Sequence, residues 1–221
     1  MDRLFQLNID NNRIKIDYSY NLGHESGQGQ ISSDGKYNFI HIPKNGSSVA
    51  KYLLSEWKMS NYYQINFKTN HLVILRDPTL RWISAVAEFL VGDYSSLGNV
   101  NIDIPIEEVD LLINTKMFQN LLFDFVIFDG HTLPQCCYIE GLDLSNITFF
   151  HYDNQVFNKI AKYIDVEYQE KQINQSLTNA KKQVIINKLK NLLSNNADLQ
   201  HQIDKHYYAD HQLFDQVKFY Y

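Results

Sequence analysis

Short apolar runs alternate along this chain with segments of helical period. Leu4, Phe5, Leu7 and Ile9 precede the turn-forming Asp10-Asn11-Asn12, and Ile14, Ile16 and Tyr18 then alternate with polar residues. That pattern predicts a β-hairpin over 4–18. Residues 21–36, rich in Gly, Ser, Gln and Asp, predict a loop. The run from Tyr37 to Ile42 predicts a buried strand that stops at Pro43. Beyond it, Val49, Tyr52, Leu53 and Trp57 fall on one helical face. His71 to Leu75 predicts a second buried strand. Asp77 then suits a helix N-cap, and Pro78 the first helical position, where a missing N–H costs nothing. Trp82, Ala85, Val86, Phe89 and Leu90 recur at amphipathic helical spacing.

Strand, loop and helix, repeated, predict an α/β domain with a central parallel sheet and crossover helices. Residues 93–106 read as a polar loop. The segment 107–128 suits a helix through Phe118, Leu121, Leu122 and Phe125, or a strand at Phe125–Phe128; helix is preferred. Residues 147–152 predict a strand, 154–164 a helix, and 178–208 a helical region rich in Lys, Asn and Gln. No internal repeat is visible. At 221 residues the chain reads as one domain, 1–221, with 1–36 as a hairpin-and-loop extension.

Composition narrows the class. With 44% hydrophobic residues the chain has material for a core without staples. A formal net charge of −5 argues against nucleic acid or an anionic membrane as the main partner. Cys136 and Cys137 are adjacent and fit neither a CxxC nor a Cys/His ligand spacing, so they read as buried reduced thiols. The opening Met-Asp-Arg-Leu-Phe-Gln has no signal-peptide pattern, and no run approaches the ~18 apolar residues of a membrane helix. A cytoplasmic protein is expected, with no integral membrane segment.

Two loops carry candidate chemistry. His41-Ile42-Pro43-Lys44-Asn45-Gly46-Ser47-Ser48-Val49 joins a predicted strand to a helix. Such a loop turns backbone N–H groups toward an anion at a helix N-terminus. Gly46 allows close approach, Ser47 and Ser48 add hydroxyls, and Lys44 adds a point charge. The ATP-binding signature GxxxxGK[ST] puts its lysine after the last glycine. Here Lys44 comes before Gly46, which disfavours an ordinary nucleoside-triphosphate site. The second loop, Arg76-Asp77-Pro78-Thr79-Leu80-Arg81-Trp82-Ile83-Ser84, lies at the next strand's carboxyl end, where ligands gather in parallel α/β folds. Arg76 can grip a phosphate in bidentate fashion.

In this order the two loops resemble those of sulfotransferases that use 3′-phosphoadenosine-5′-phosphosulfate (PAPS), in particular the carbohydrate branch with the heparan and chondroitin enzymes. Pro43, Lys44, Gly46, Ser47 and Ser48 match the family's 5′-phosphosulfate loop. Arg76, Asp77, Pro78, Arg81 and Ser84 match its 3′-phosphate motif. His131-Thr132-Leu133-Pro134-Gln135, Asn174-Gln175-Ser176 and Tyr208-Ala209-Asp210-His211-Gln212-Leu213-Phe214 resemble three further family segments. The likeness runs from about residue 37 to 215, and the hairpin lies outside it.

The resemblance implies a three-layer, P-loop-like fold with a helical C-terminal region. It implies transfer of a sulfuryl group from PAPS to a hydroxyl on a saccharide, in that family's manner, releasing PAP. Sulfuryl transfer, like phosphoryl transfer, needs in-line geometry and charge stabilisation. Lys44 would neutralise the leaving oxygen, the backbone of Asn45, Gly46, Ser47 and Ser48 would hold the 5′-phosphate, and Arg76 with Ser84 the 3′-phosphate. No metal is implied. The heparan enzymes carry a proposed histidine base between the two loops; this shorter segment has no match to it. His131 is the first candidate base and Glu88 the second, against structural roles for each. His41 and His71 read as packed core histidines, Arg81 as a loop brace, and Lys181 and Lys182 as solvated or as closing over the nucleotide. A small-molecule kinase and a non-catalytic nucleotide- or glycan-binding protein of this fold remain the rival readings.

Overall fold

The computed structural model describes residues 6–17, 28–61, 69–91, 108, 115–116, 130–168 and 180–221. Nearly all of 107–128, the 93–106 loop and Asn174–Ser176 lie outside them.

Strands β1 (Gln6–Asp10) and β2 (Arg13–Asp17) pair antiparallel around Asn11 and Asn12. Both turn residues take positive φ, 49° and 67°, which asparagine tolerates better than most. The hairpin is a separate two-stranded sheet. The main sheet runs β5 (Lys58–Asn61), β3 (Gln28–Ile31), β4 (Tyr37–Ile40), β6 (Asn70–Leu75), β7 (Ile147–His151). β4, β6 and β7 are parallel. β3 and β5 extend them antiparallel.

The sheet is therefore mixed, not wholly parallel, and part of the expected 21–36 loop is a strand. Composition concealed β3 for two reasons. Gly29 is required because a Cβ there would lie 2.4 Å from the Phe39 carbonyl oxygen. Gln30 is polar yet buried, its amide donating to the Leu54 carbonyl at 2.9 Å.

Period-two alternation divides the sheet faces. Phe39, Leu72, Ile74 and Phe150 pack with Ala50 of α1 (Ser47–Leu53) and with Val156 and Ile160 of α3 (Val156–Tyr163). Ile40, Val73, Leu75 and Phe149 face the other way, onto a 3₁₀ turn at Gln135–Tyr138 and onto α6 (Tyr208–Gln216). α2 (Pro78–Val91) packs through Trp82, Ile83 and Val86 against α4 (Ala180–Ser194) and α5 (Ala197–His206).

Local boundaries depart from the periodicity in three places. α1 stops at Leu53, leaving Tyr52 exposed and Trp57 beyond the helix, stacked on Tyr37. The 178–208 region breaks at Asn196, whose side chain accepts from the Leu199 N–H and caps α5. α6 continues helically past 208. Asp77 caps α2 as expected, accepting from the Leu80 N–H at 2.8 Å. No described helix is long and apolar enough to cross a membrane.

His41 and His71 are buried, as expected of core histidines. Burial pushes both down to about 4, with Lys51 adding to the effect on His41. His71 shares a 3.2 Å hydrogen bond with the Asn38 amide, which donates to Nδ1. Unfolded histidines bind protons first, near pH 6.5. Stability should thus be full above that pH and erode as pH falls toward 4, by roughly 3 kcal/mol per histidine. Denaturant midpoints of wild type and His71→Gln between pH 7 and 4.5 test this. The variant should lose less stability over that range, and parallel losses would refute the assignment.

Candidate functional site

The chain leaves β4 through a turn in which the Asn45 N–H bonds to the Ile42 carbonyl at 3.2 Å. Lys44 and Gly46 both take left-handed backbone, φ 66° and 80°. For lysine that conformation costs of order 1 kcal/mol and needs outside support. The support comes from the second motif. Arg76 Nη1 donates to the Lys44 carbonyl at 3.0 Å, and Arg81 Nε to the Pro43 carbonyl at 2.9 Å. Gly46 has a further constraint: a Cβ would sit 2.5 Å from the Phe157 ring. Ser47 and Ser48 open α1, which has no side-chain cap.

Arg76 directly follows β6, beside Lys44. Its guanidinium lies 4.9 Å over the Tyr152 ring, and burial lowers its pKa from the ordinary arginine value. Among the described residues it forms no ion pair with a carboxylate, and Asp77 is occupied in capping α2. Arg81 is wholly buried and also donates to the Leu133 carbonyl at 2.6 Å, so it braces the first loop against the 130–134 turn. Ser84 is buried on α2, and no described hydrogen bond uses its hydroxyl.

One turn after Ser84, Glu88 receives two ammonium groups on the same oxygen, Oε2: Lys44 and Lys182. Lys182 shares a helical face with Ile185, Leu189 and Leu193 of α4, and packing of that face on α2 carries it inward. It is 4% exposed and not solvated. Burial lowers the Lys44 pKa, with the hydrogen bond it donates to Glu88 opposing the shift. For Glu88 burial acts upward, but the hydrogen bonds from Lys182 and Lys44 outweigh it and hold the carboxyl below its usual range. A carboxylate so held is a weak base.

Behind these cations lies a polar hub. The Gln135 amide pairs with the Arg76 backbone as a strand neighbour would, accepting from its N–H at 3.0 Å and donating to its carbonyl at 2.8 Å. The same Gln135 Oε1 accepts from Asn45 Nδ2 at 2.6 Å, while Asn45 also donates to the Ile74 carbonyl. Asp210 of α6 accepts from the backbone N–H groups of Gln135 and Cys136, at 2.8 and 2.9 Å. Asn45 is thereby engaged within the scaffold through both its N–H and its amide. The hairpin backs this hub: Leu7 packs on the cluster containing Cys136 and Tyr138, and the Asn12 carbonyl accepts from the Leu144 N–H.

The structure thus gathers Lys44, Gly46, Ser47 and Arg76 at the carboxyl ends of β4 and β6, with Ser84 on the adjoining helix. His131 sits in the turn between Gly130 and Leu133. Sequence reasoning assigned no role to Tyr152. It noted Gln135 and Asp210 only as parts of family-like segments. Cys136 and Cys137 are free and buried, as expected, and burial raises the Cys136 thiol well above its usual value.

Compared with known proteins, the chain matches no family model, no curated protein and no solved structure.

Proposed function

We propose that this protein is a PAPS-dependent sulfotransferase acting on an acceptor hydroxyl, with saccharides as the acceptor class. One observation carries the reading. Four family-like segments, remote in sequence, meet through side-chain hydrogen bonds at Asn45, Arg76, Gln135 and Asp210, beneath a cluster of cations. Convergence of that kind is what a shared nucleotide site requires, since the cradle, the phosphate-binding arginine and their supports must hold one geometry.

In the reaction the acceptor oxygen attacks sulfur, and a new S–O bond forms as the bond to the bridging oxygen breaks. PAP leaves with that electron pair, and the acceptor proton passes to a base. His131 is our candidate for that base; Glu88, pinned by two lysines, is the poorer one. Lys44 donates to the bridging oxygen as charge develops there. Gly46, Ser47 and Ser48 hold the 5′-phosphate. Arg76, cationic and without a carboxylate partner among the described residues, binds the 3′-phosphate with Ser84. Asn45 acts as a brace for the cradle.

Calorimetric titration with PAP, ADP and ATP, without magnesium, tests the donor assignment. PAP should bind best; preference for ATP would replace this reading with a kinase. Arg76→Ala should weaken PAP at least tenfold more than adenosine-5′-phosphosulfate, which lacks the 3′-phosphate. Equal weakening would remove Arg76 from the 3′-phosphate pocket.

A further inference from the structure

A guanidinium that grips a phosphate through two parallel N–H groups must present its plane at the right angle as well as its charge. Arg76 has one in-plane anchor, the bond from Nη1 to the Lys44 carbonyl at 3.0 Å. A single hydrogen bond leaves the group free to rotate about it. Tyr152 removes that freedom, because the guanidinium carbon lies over its ring, 4.9 Å from the centroid. Chain order brings the two side by side. Arg76 follows β6 and Tyr152 follows β7, and the Tyr152 N–H donates to the Leu75 carbonyl at 2.8 Å, which keeps the two strand ends together. The ring is itself held. It packs on the core face that contains Phe150, Val156 and Ile160, and a Cβ at Gly46 would stand 3.2 Å from its Cε2. Tyr152 thus borders both the glycine of the cradle and Arg76.

We propose that Tyr152 makes the site selective for a 3′-phosphate by fixing the plane of the Arg76 guanidinium before the nucleotide arrives. The proposal rests on the sulfotransferase reading. The ring takes one face of the guanidinium and the Lys44 carbonyl takes one donor; in-plane N–H groups that remain make the bidentate contact. Orientation in advance matters because an unrestrained arginine side chain gives up rotamer freedom on binding, which offsets part of the gain from each bond. An aromatic face suits this task better than a carboxylate would. A carboxylate would hold the guanidinium as firmly, but it would compete with the phosphate for the same N–H groups. Tyr152 is a positioning residue that acts through Arg76, and its effect is confined to ligands that carry the second phosphate.

The test compares affinities for PAP and for 5′-AMP, which differs from PAP only in lacking the 3′-phosphate. Both are measured by calorimetry, AMP by displacement, in wild type, Tyr152→Leu and Tyr152→Phe. Tyr152→Leu should lower the PAP-to-AMP affinity ratio about fivefold, and Tyr152→Phe, which keeps the ring face, should restore most of it. Tyr152→Met replaces the leucine variant if that one does not fold. In an Arg76→Ala background the leucine substitution should leave the ratio where Arg76→Ala alone put it. An unchanged ratio in a folded Tyr152→Leu overturns the proposal and leaves the sulfotransferase reading intact. PAP and AMP weakened by the same factor also overturns it, since the ring would then touch the part of the nucleotide that both share. Wild type that binds PAP no better than AMP removes the 3′-phosphate pocket, and with it both the reading and the proposal.

Discussion

Replacing Lys44 with alanine is expected to reduce sulfuryl transfer by about a thousandfold while weakening PAP binding tenfold or less. The asymmetry follows from when the charge is needed. The bridging oxygen carries little charge in bound PAPS and gains it only as the S–O bond breaks, so an ammonium there stabilises the transition state above the ground state. Its backbone is fixed independently of its side chain: the Arg76 guanidinium and the Asn45–Ile42 turn hold the loop through the main chain. Alanine at position 44 keeps both bonds. Burial lowers the Lys44 pKa, so wild-type transfer should also decline on the alkaline side sooner than an ordinary lysine would dictate. Single-turnover rates set beside PAP dissociation constants make the comparison. Equal losses in both would mean that Lys44 serves binding alone.

Asp210→Ala should damage the scaffold well beyond the site, costing about 3 kcal/mol. Asp210 is 2% exposed, and each carboxylate oxygen accepts one backbone N–H of the 3₁₀ turn. Truncation leaves those donors buried without acceptors, a larger loss than that of an exposed hydrogen bond. The effect should spread, because Gln135 ties that turn to both Arg76 and Asn45. Thermal unfolding should shift down by roughly 6–12 °C for a chain of this size. Asp210→Asn, which retains one acceptor, should lose less. A midpoint within 2 °C of wild type for the alanine variant would mean that the hub contributes little to stability.

Much of the scaffold was legible as pattern. The runs at 37–42, 71–75 and 147–152 are apolar because their strands are covered on both faces, and such burial leaves a mark on composition. Asp77-Pro78 announced its helix because capping is a local matter, decided within four residues. The antiparallel edge was not legible. β3 is built from Gln, Gly, Gln and Ile, and its glycine and buried glutamine suit only the particular neighbours Phe39 and Leu54. The end of α1 was missed for a similar reason: Trp57 is apolar because it stacks on Tyr37, not because the helix reaches it.

The candidate site divides along the same line. By itself the sequence determined the two loops, since Lys44, Gly46, Ser47 and Arg76 lie at strand ends whose position follows from chain order and hydrophobic period. The left-handed backbone of Lys44 and Gly46 came from the structure. Only the tertiary structure decided which charges meet. Lys44, Glu88 and Lys182 come from three separate elements, and Lys182 looked solvated until α4 packed on α2 and carried it inward. Gln135 and Asp210 acquired a role the same way, through contacts across more than seventy residues of chain with Asp210 and nearly sixty with Arg76. Local sequence dictates propensity and caps because those energies arise within a few residues. Ion pairs and buried polar hubs arise between elements, and their partners are chosen only when hydrophobic faces dock.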